Sequence, residues 1–155
     1  MTNGGMRRTS WTDLTVPFVV VGITIYALLR FSYTGLLNLQ YIVPAPLAAL
    51  AIAELVAARR VRAAVRHDPD AKPMAAIVIA RCVALGKASS LVGSAVAGAA
   101  LGVFLDLLPD IRAVPARAHD AKVAVLLLGA CILLVVAGLL LERAGVDPNR
   151  DRDEP

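Results

Sequence analysis

Four stretches of this chain run long enough without a charge to cross a lipid bilayer, and that pattern limits the fold more than any other feature. They extend from Leu14 to Leu29, Phe31 to Ala53, Ala88 to Leu105 and Val123 to Leu141. A helix needs about 20 mainly apolar residues to cover the hydrocarbon layer, and every backbone N–H and C=O must be satisfied inside the segment because no water is there to do it. A soluble domain of 155 residues needs a mostly polar surface, which a chain with 58% hydrophobic and 18% charged residues cannot supply. The same composition excludes a disordered chain. The expected fold is an all-α polytopic membrane protein with four transmembrane helices, near 14–33, 41–58, 88–108 and 122–141, in a single membrane domain over residues 1–144. Residues 145–155 (GVDPNRDRDEP) read as a disordered cytoplasmic tail.

Local signals place the ends. Ser10 and Asp13 stand at capping-box spacing, so the first helix starts there, with Trp11 at headgroup level. The first span reaches about Tyr33 if Arg30 snorkels outward. A cleavable signal peptide is the competing reading of this run. Its length and the lack of a small-x-small site favour a retained span. The helical part of the second run begins near Tyr41, because Gly35 and Asn38 read as a loop; Pro44 and Pro46 then fall in its first turns, where proline is least disruptive.

Basic residues orient the spans, because cytoplasmic loops collect Lys and Arg. Twelve of the 16 Lys and Arg residues fall on the side of the two termini and the central loop, and four (Arg30, Arg112, Arg117 and Lys122) on the other. Both termini are therefore expected in the cytoplasm of a bacterial cell, with the protein multi-pass in the plasma membrane. The segment from Ala53 to His67 is rich in Ala, Leu and Arg, strong helix formers, and continues the second span as helix beyond the bilayer. Asp68 to Pro73 supplies breakers, and a new helix is expected from about Met74 to Leu108. The result is a cytoplasmic helical hairpin between spans 2 and 3, with Arg59, Arg60, Arg62, Arg66 and Lys72 as its basic surface. Such a surface attracts anionic headgroups. With the positive charge concentrated between apolar runs, nucleic acid is not an expected partner.

If the hairpin turns between Asp70 and Ala71, Glu54 comes level with Lys87. Each is the ionisable residue nearest the hydrocarbon on its arm. A buried carboxylate needs a partner, so a Glu54–Lys87 ion pair is expected, with Arg81 as the alternative cation. The other reading is that each side chain snorkels separately to the headgroups. The third helix also carries Gly86, Ser90, Ser94, Gly98 and Gly102 at every fourth position, and a second small row through Ser89, Gly93 and Ala97. In lipid, small residues allow the close backbone approach that yields dispersion contact, so this is a helix-packing face. Its partner is either a helix of the same chain, the favoured reading, or a second copy in an oligomer.

No chemistry emerges from the remaining residues. His67 and His119 fall on opposite sides of the bilayer, and neither a P-loop nor a nucleophile arrangement is present. Cys82 and Cys131 suggest neither a disulfide nor a metal site. No catalytic residue, cofactor or metal is therefore expected, and the chain does not read as an enzyme. Asp106, Asp110, Asp120, Arg30 and Lys122 form a charged outer rim that reads as the ends of the spans.

The run Ile79 to Ser89, containing Ala80-Arg81-Cys82-Val83-Ala84-Leu85-Gly86-Lys87-Ala88-Ser89, resembles the ARxxALxKAS signature of an uncharacterised actinobacterial membrane family, domain-of-unknown-function family three-one-eight-zero. Glu54 followed by Arg59 and Arg60, and Glu142-Arg143 before an acidic, proline-containing tail, fit the same pattern. The chain departs from it between Thr34 and Tyr41, where the family tends to carry more proline and aromatic residues. The resemblance implies four spans and no established activity. The function expected is that of a non-enzymatic scaffold or accessory subunit, docking lipid or a membrane or cytoplasmic protein partner. The alternative is a small oligomeric transporter using Glu54 as a proton or cation site.

Overall fold

Each uncharged run contributes to a helix among the described residues. The computed structural model describes residues 10–31, 40–66, 74–110 and 114–145. It contains α1 (Trp11–Phe31), α2 (Pro44–Val65), α3 (Ala76–Leu107), a single 3-10 turn at Leu108–Asp110, and α4 (Pro115–Ala144). Residues 146–155 of the expected tail and the expected hairpin turn at residues 67–73, with Lys72, lie outside the described residues.

Helix starts are set by local chemistry. At α1 the Ser10 N–H donates to Asp13 Oδ2 at 2.9 Å, and the Asp13 N–H donates to the Ser10 carbonyl at 3.0 Å, so the side-chain half of the expected capping box is the carboxylate's. α2 begins without a side-chain cap. A helix start leaves its first four N–H groups without intrahelical partners. Here Pro44 and Pro46 have no N–H to leave unpaired, and the Ala45 N–H donates to the Ile42 carbonyl at 3.1 Å. A turn through Tyr41–Val43, closed by Val43 N–H to Gln40 O at 3.1 Å, leads into it. With its early donors removed or bonded, α2 can start against apolar neighbours, and Pro44 is buried.

α1, α3 and α4 are long and apolar enough to cross a membrane. α2 does not meet that measure, because any 18 consecutive residues of it include at least three of Glu54, Arg59, Arg60 and Arg62. α1 extends about 31 Å at 1.5 Å per residue, close to the ~30 Å hydrocarbon layer, and α3 about 48 Å.

The helices stand in the spatial order α1, α3, α4, α2, not in chain order. Contacts fix the directions. Gly98 meets Phe18, and Gly102 meets Gly22 and Tyr26, so α1 and α3 run parallel. Gly86 meets Gly138, and Gly93 meets Cys131 and Val135, so α3 and α4 run antiparallel. Ala51 clusters with Leu134 and Ala137, whereas Ala58 and Val61 cluster with Leu141 and Ala144; α2 and α4 are parallel. α4 thus stands between α2 and most of α3, and those two arms touch only sparsely. Side chains of α1 such as Val16, Val20, Ile23 and Leu28 are exposed, an outward apolar surface suited to lipid. Hydroxyls on these helices bond to their own backbone, as Thr15 does to Trp11 O and Thr24 to Val20 O. These two donors are thereby met without water.

Candidate functional site

The small residues of α3 bring three helices together. Gly86, Ser90, Ser94, Gly98 and Gly102 are all buried, but they do not share one partner. Toward the C-terminal end, Gly98 abuts the Phe18 carbonyl of α1, and a Cβ on Gly102 would stand 2.7 Å from Gly22 O. Toward the N-terminal end, a Cβ on Gly86 would stand 2.6 Å from Gly138 O of α4, and one on Gly138 would stand 2.5 Å from Gly86 O. The stripe therefore serves two backbone-to-backbone crossings within this chain. Gly22 and Gly138, the partners from the facing helices, carry no signal in sequence beyond being glycines in apolar runs. Ser90 and Ser94 occupy this interface because their hydroxyls donate to Lys87 O at 2.9 Å and Leu91 O at 2.7 Å.

Glu54 lies beside the Gly86–Gly138 crossing. It sits one turn after Ala51 and one turn before Ala58, both packed on α4, and it is 1% exposed. Ser89 of α3, also buried, is a polar side chain within its electrostatic reach. Neither Oε1 nor Oε2 has a hydrogen-bond partner. Of the ion pair expected with Lys87 or Arg81, no hydrogen bond to Glu54 is present. Glu54 does come level with α3 near Ser89, so the expected register holds to within about one turn, but α2 packs mainly on α4 and touches α3 only sparsely. Lys87 is half-buried and engaged, and Arg81 is exposed.

The depth of Glu54 follows from α1. Since Phe18 meets Gly98 and the helices are parallel, Trp11 falls near Leu91, within about one turn of Ser89. Glu54 is accordingly close to the level at which α1 begins. Beyond that level α2 continues through Arg59, Arg60, Arg62 and Arg66, all exposed, and the first turns of α3 and the last of α4 accompany it. Ala58, Val61, Leu141 and Ala144 form the apolar centre of this extension, with Met74, Ile79 and Cys82 against it. Glu142 is buried there and engaged.

At the opposite end, the His119 ring meets Tyr41 edge to face, with centroids 4.6 Å apart. Asp120, expected as part of an exposed rim, is buried and engaged, while Lys122 and Arg30 are exposed and Asp106 is half-buried. Among the described residues, no three His, Cys, Asp or Glu side chains converge to hold a metal ion.

Long apolar helices joined through glycine backbones, with aliphatic side chains outward and the exposed arginines concentrated at one end, define a helical bundle of the membrane-protein type. Within that class, the chain belongs to the family described as "Protein of unknown function (DUF3180)", which matches residues 14–148. No curated protein and no solved structure matches the chain.

Proposed function

We propose that this protein is a multi-pass component of the bacterial plasma membrane, four passes with both termini cytoplasmic, that acts as a non-enzymatic scaffold or accessory subunit. The parallel packing of α1 on α3 supports four passes: two spans in the same direction require the chain to return between them, and α2 is the segment available. The count of Lys and Arg supports the orientation.

The observation that carries the reading is the exposed row Arg59, Arg60, Arg62 and Arg66 on the end of a helix whose preceding turns are packed on α4. A rigid helix holding four guanidinium groups just past the apolar zone presents them to anionic headgroups, or to an acidic surface of a protein partner, at a fixed height. The burial of Glu54 favours this over a transporter, which would need the carboxylate to face a watery cavity. The test is affinity purification in mild detergent with identification of bound lipid and protein, for the natural chain and for the Arg59→Gln, Arg60→Gln, Arg62→Gln, Arg66→Gln variant. Loss of anionic lipid or of a stoichiometric partner from the variant is the expected result. Equal retention by both would remove the basis of the proposal.

A further inference from the structure

We propose that Glu54 is a proton-binding site, holding a proton in the packed bundle and loosening α2 from α3 and α4 when it gives that proton up. The inference stands apart from the docking role of the arginines.

The geometry admits few ligands. Both carboxyl oxygens are buried and make no hydrogen bond, on a side chain that is 1% exposed, with the Ser89 hydroxyl the polar side-chain group beside it. An ionised carboxylate is not stable in such surroundings without a counter-charge or donors, whereas the neutral acid is. No charged group on the packed elements is hydrogen-bonded to it. On α3 the charged side chains are Lys87, half-buried and engaged, and the exposed Arg81; on α4 they are Glu142, buried and engaged, and the exposed Arg143; on α2 itself, the next charge is the exposed Arg59. The Ser90 hydroxyl already donates to Lys87 O. A dehydrated metal cation is a poor fit, because calcium takes about six to eight oxygen ligands and magnesium about six. Here one carboxylate and the Ser89 hydroxyl are the side-chain oxygens at hand, the helical carbonyls being committed to the backbone. A proton needs one oxygen. The level of Glu54 near the start of α1 puts it a short distance from the end where the arginines meet water, so the proton can exchange once α2 moves. Deprotonation leaves a bare charge against the Gly86–Gly138 crossing, and the relief is for α2 to swing toward the arginine end.

Infrared difference spectroscopy on the full chain in lipid, between mildly acidic and alkaline buffer, reads the proton directly. The expected result is a protonated-carboxyl C=O band that disappears on alkalinisation and is absent from Glu54→Gln. No such band in acidic buffer would overturn the proposal, whatever else is found. Modification by dicyclohexylcarbodiimide, which attacks protonated carboxyls in apolar surroundings, adds the ligand identity. Labelling of Glu54 should fall about tenfold per pH unit past its midpoint and be indifferent to sodium chloride. Protection by sodium at constant pH would overturn the proton in favour of a metal cation. Glu54→Gln imitates the neutral acid, so it is expected to fold, to melt with the natural chain in acidic buffer, and to keep that stability in alkaline buffer where the natural chain loses it.

Discussion

Two glycines on α4 offer a paired test of whether backbone contact holds the bundle together. A Cβ added at Gly138 would come 2.5 Å from the Gly86 carbonyl oxygen and 3.1 Å from the Ser90 nitrogen, whereas one added at Gly129 meets nothing within 4 Å. Non-bonded atoms settle at roughly 3.5 Å, so Gly138→Ala must push α3 and α4 apart by about 1 Å where they cross. A gap of ~0.5–1 Å forfeits about a quarter to a half of each dispersion contact across it. Overpacking of this kind costs about 1–3 kcal/mol. Alanine is the better helix former by about 0.5–1 kcal/mol, which offsets part of the loss at Gly138 and acts alone at Gly129. The expected net result is a destabilisation on the order of 1–2 kcal/mol for Gly138→Ala and a stabilisation of up to about 1 kcal/mol for Gly129→Ala. Thermal unfolding of both variants in the same mild detergent, followed by exposure of the buried Cys131 thiol to a maleimide, measures the difference. Shifts of the same sign at the two positions would refute the reasoning, because the substitution and the helix are identical and only the neighbour differs.

Gly98→Leu should displace α1 from α3, since Gly98 lies against the Phe18 carbonyl, and should lower the yield of folded protein more than Leu101→Ala; equal yields would count against this crossing. In the folded state, Cys82, half-buried at the basic end, should react with a thiol reagent well before Cys131, which is fully buried between α3 and α4; comparable rates would show that the bundle opens. Each guanidinium removed from Arg59, Arg60, Arg62 and Arg66 should weaken binding to anionic lipid by about 1 kcal/mol, read as bound lipid per chain by native mass spectrometry, with zwitterionic lipid unaffected.

The sequence yields the helices more readily than their neighbours. Charge-free runs lie within α1, α3 and α4, where the hydrocarbon layer sets a length that composition must respect, and overlap the first half of α2. The ends are less legible where helix and span part company. α4 begins at Pro115, ahead of the apolar run that starts at Val123, because Arg117, Asp120 and Lys122 cost a helix nothing that a solvated or paired end cannot supply. α3 spans Ala76–Leu107, and its stripe of small residues is readable as a packing face. Which helix fills that face is not readable, since the glycines that meet it, Gly22 and Gly138, are single positions in runs of Val, Ile and Leu. The expected Glu54–Lys87 pair depended on consecutive helices being adjacent, and adjacency in chain order is a tendency with exceptions. What decides here is shape: Gly86 and Gly138 have no side chains to keep α3 from α4.

That choice of neighbours also explains why Glu54 has no backbone donor. Where two helices cross through paired glycines, their backbones approach so closely that each screens the other, and the groups they present are C–H and carbonyl edges, not N–H groups, which are consumed in the helices. α2 lays Ala51 and Ala58 on α4 on either side of this crossing, and both are too small to hold Glu54 away from it. The carboxyl is thus buried beside the crossing by the alanines that flank it, little more than one turn before the chain becomes basic. A carboxyl placed for solubility would stand among Arg59 and Arg60. One placed at the glycine crossing stays dry only while the helices remain in contact, which ties its charge state to the same contact that Gly138→Ala disturbs. If the two are coupled, Gly138→Ala should let water reach Glu54, read as faster hydrogen–deuterium exchange of the carboxyl in infrared spectra at one fixed acidic pH. An unchanged exchange rate in a variant whose helices have demonstrably separated would uncouple the carboxyl from the crossing.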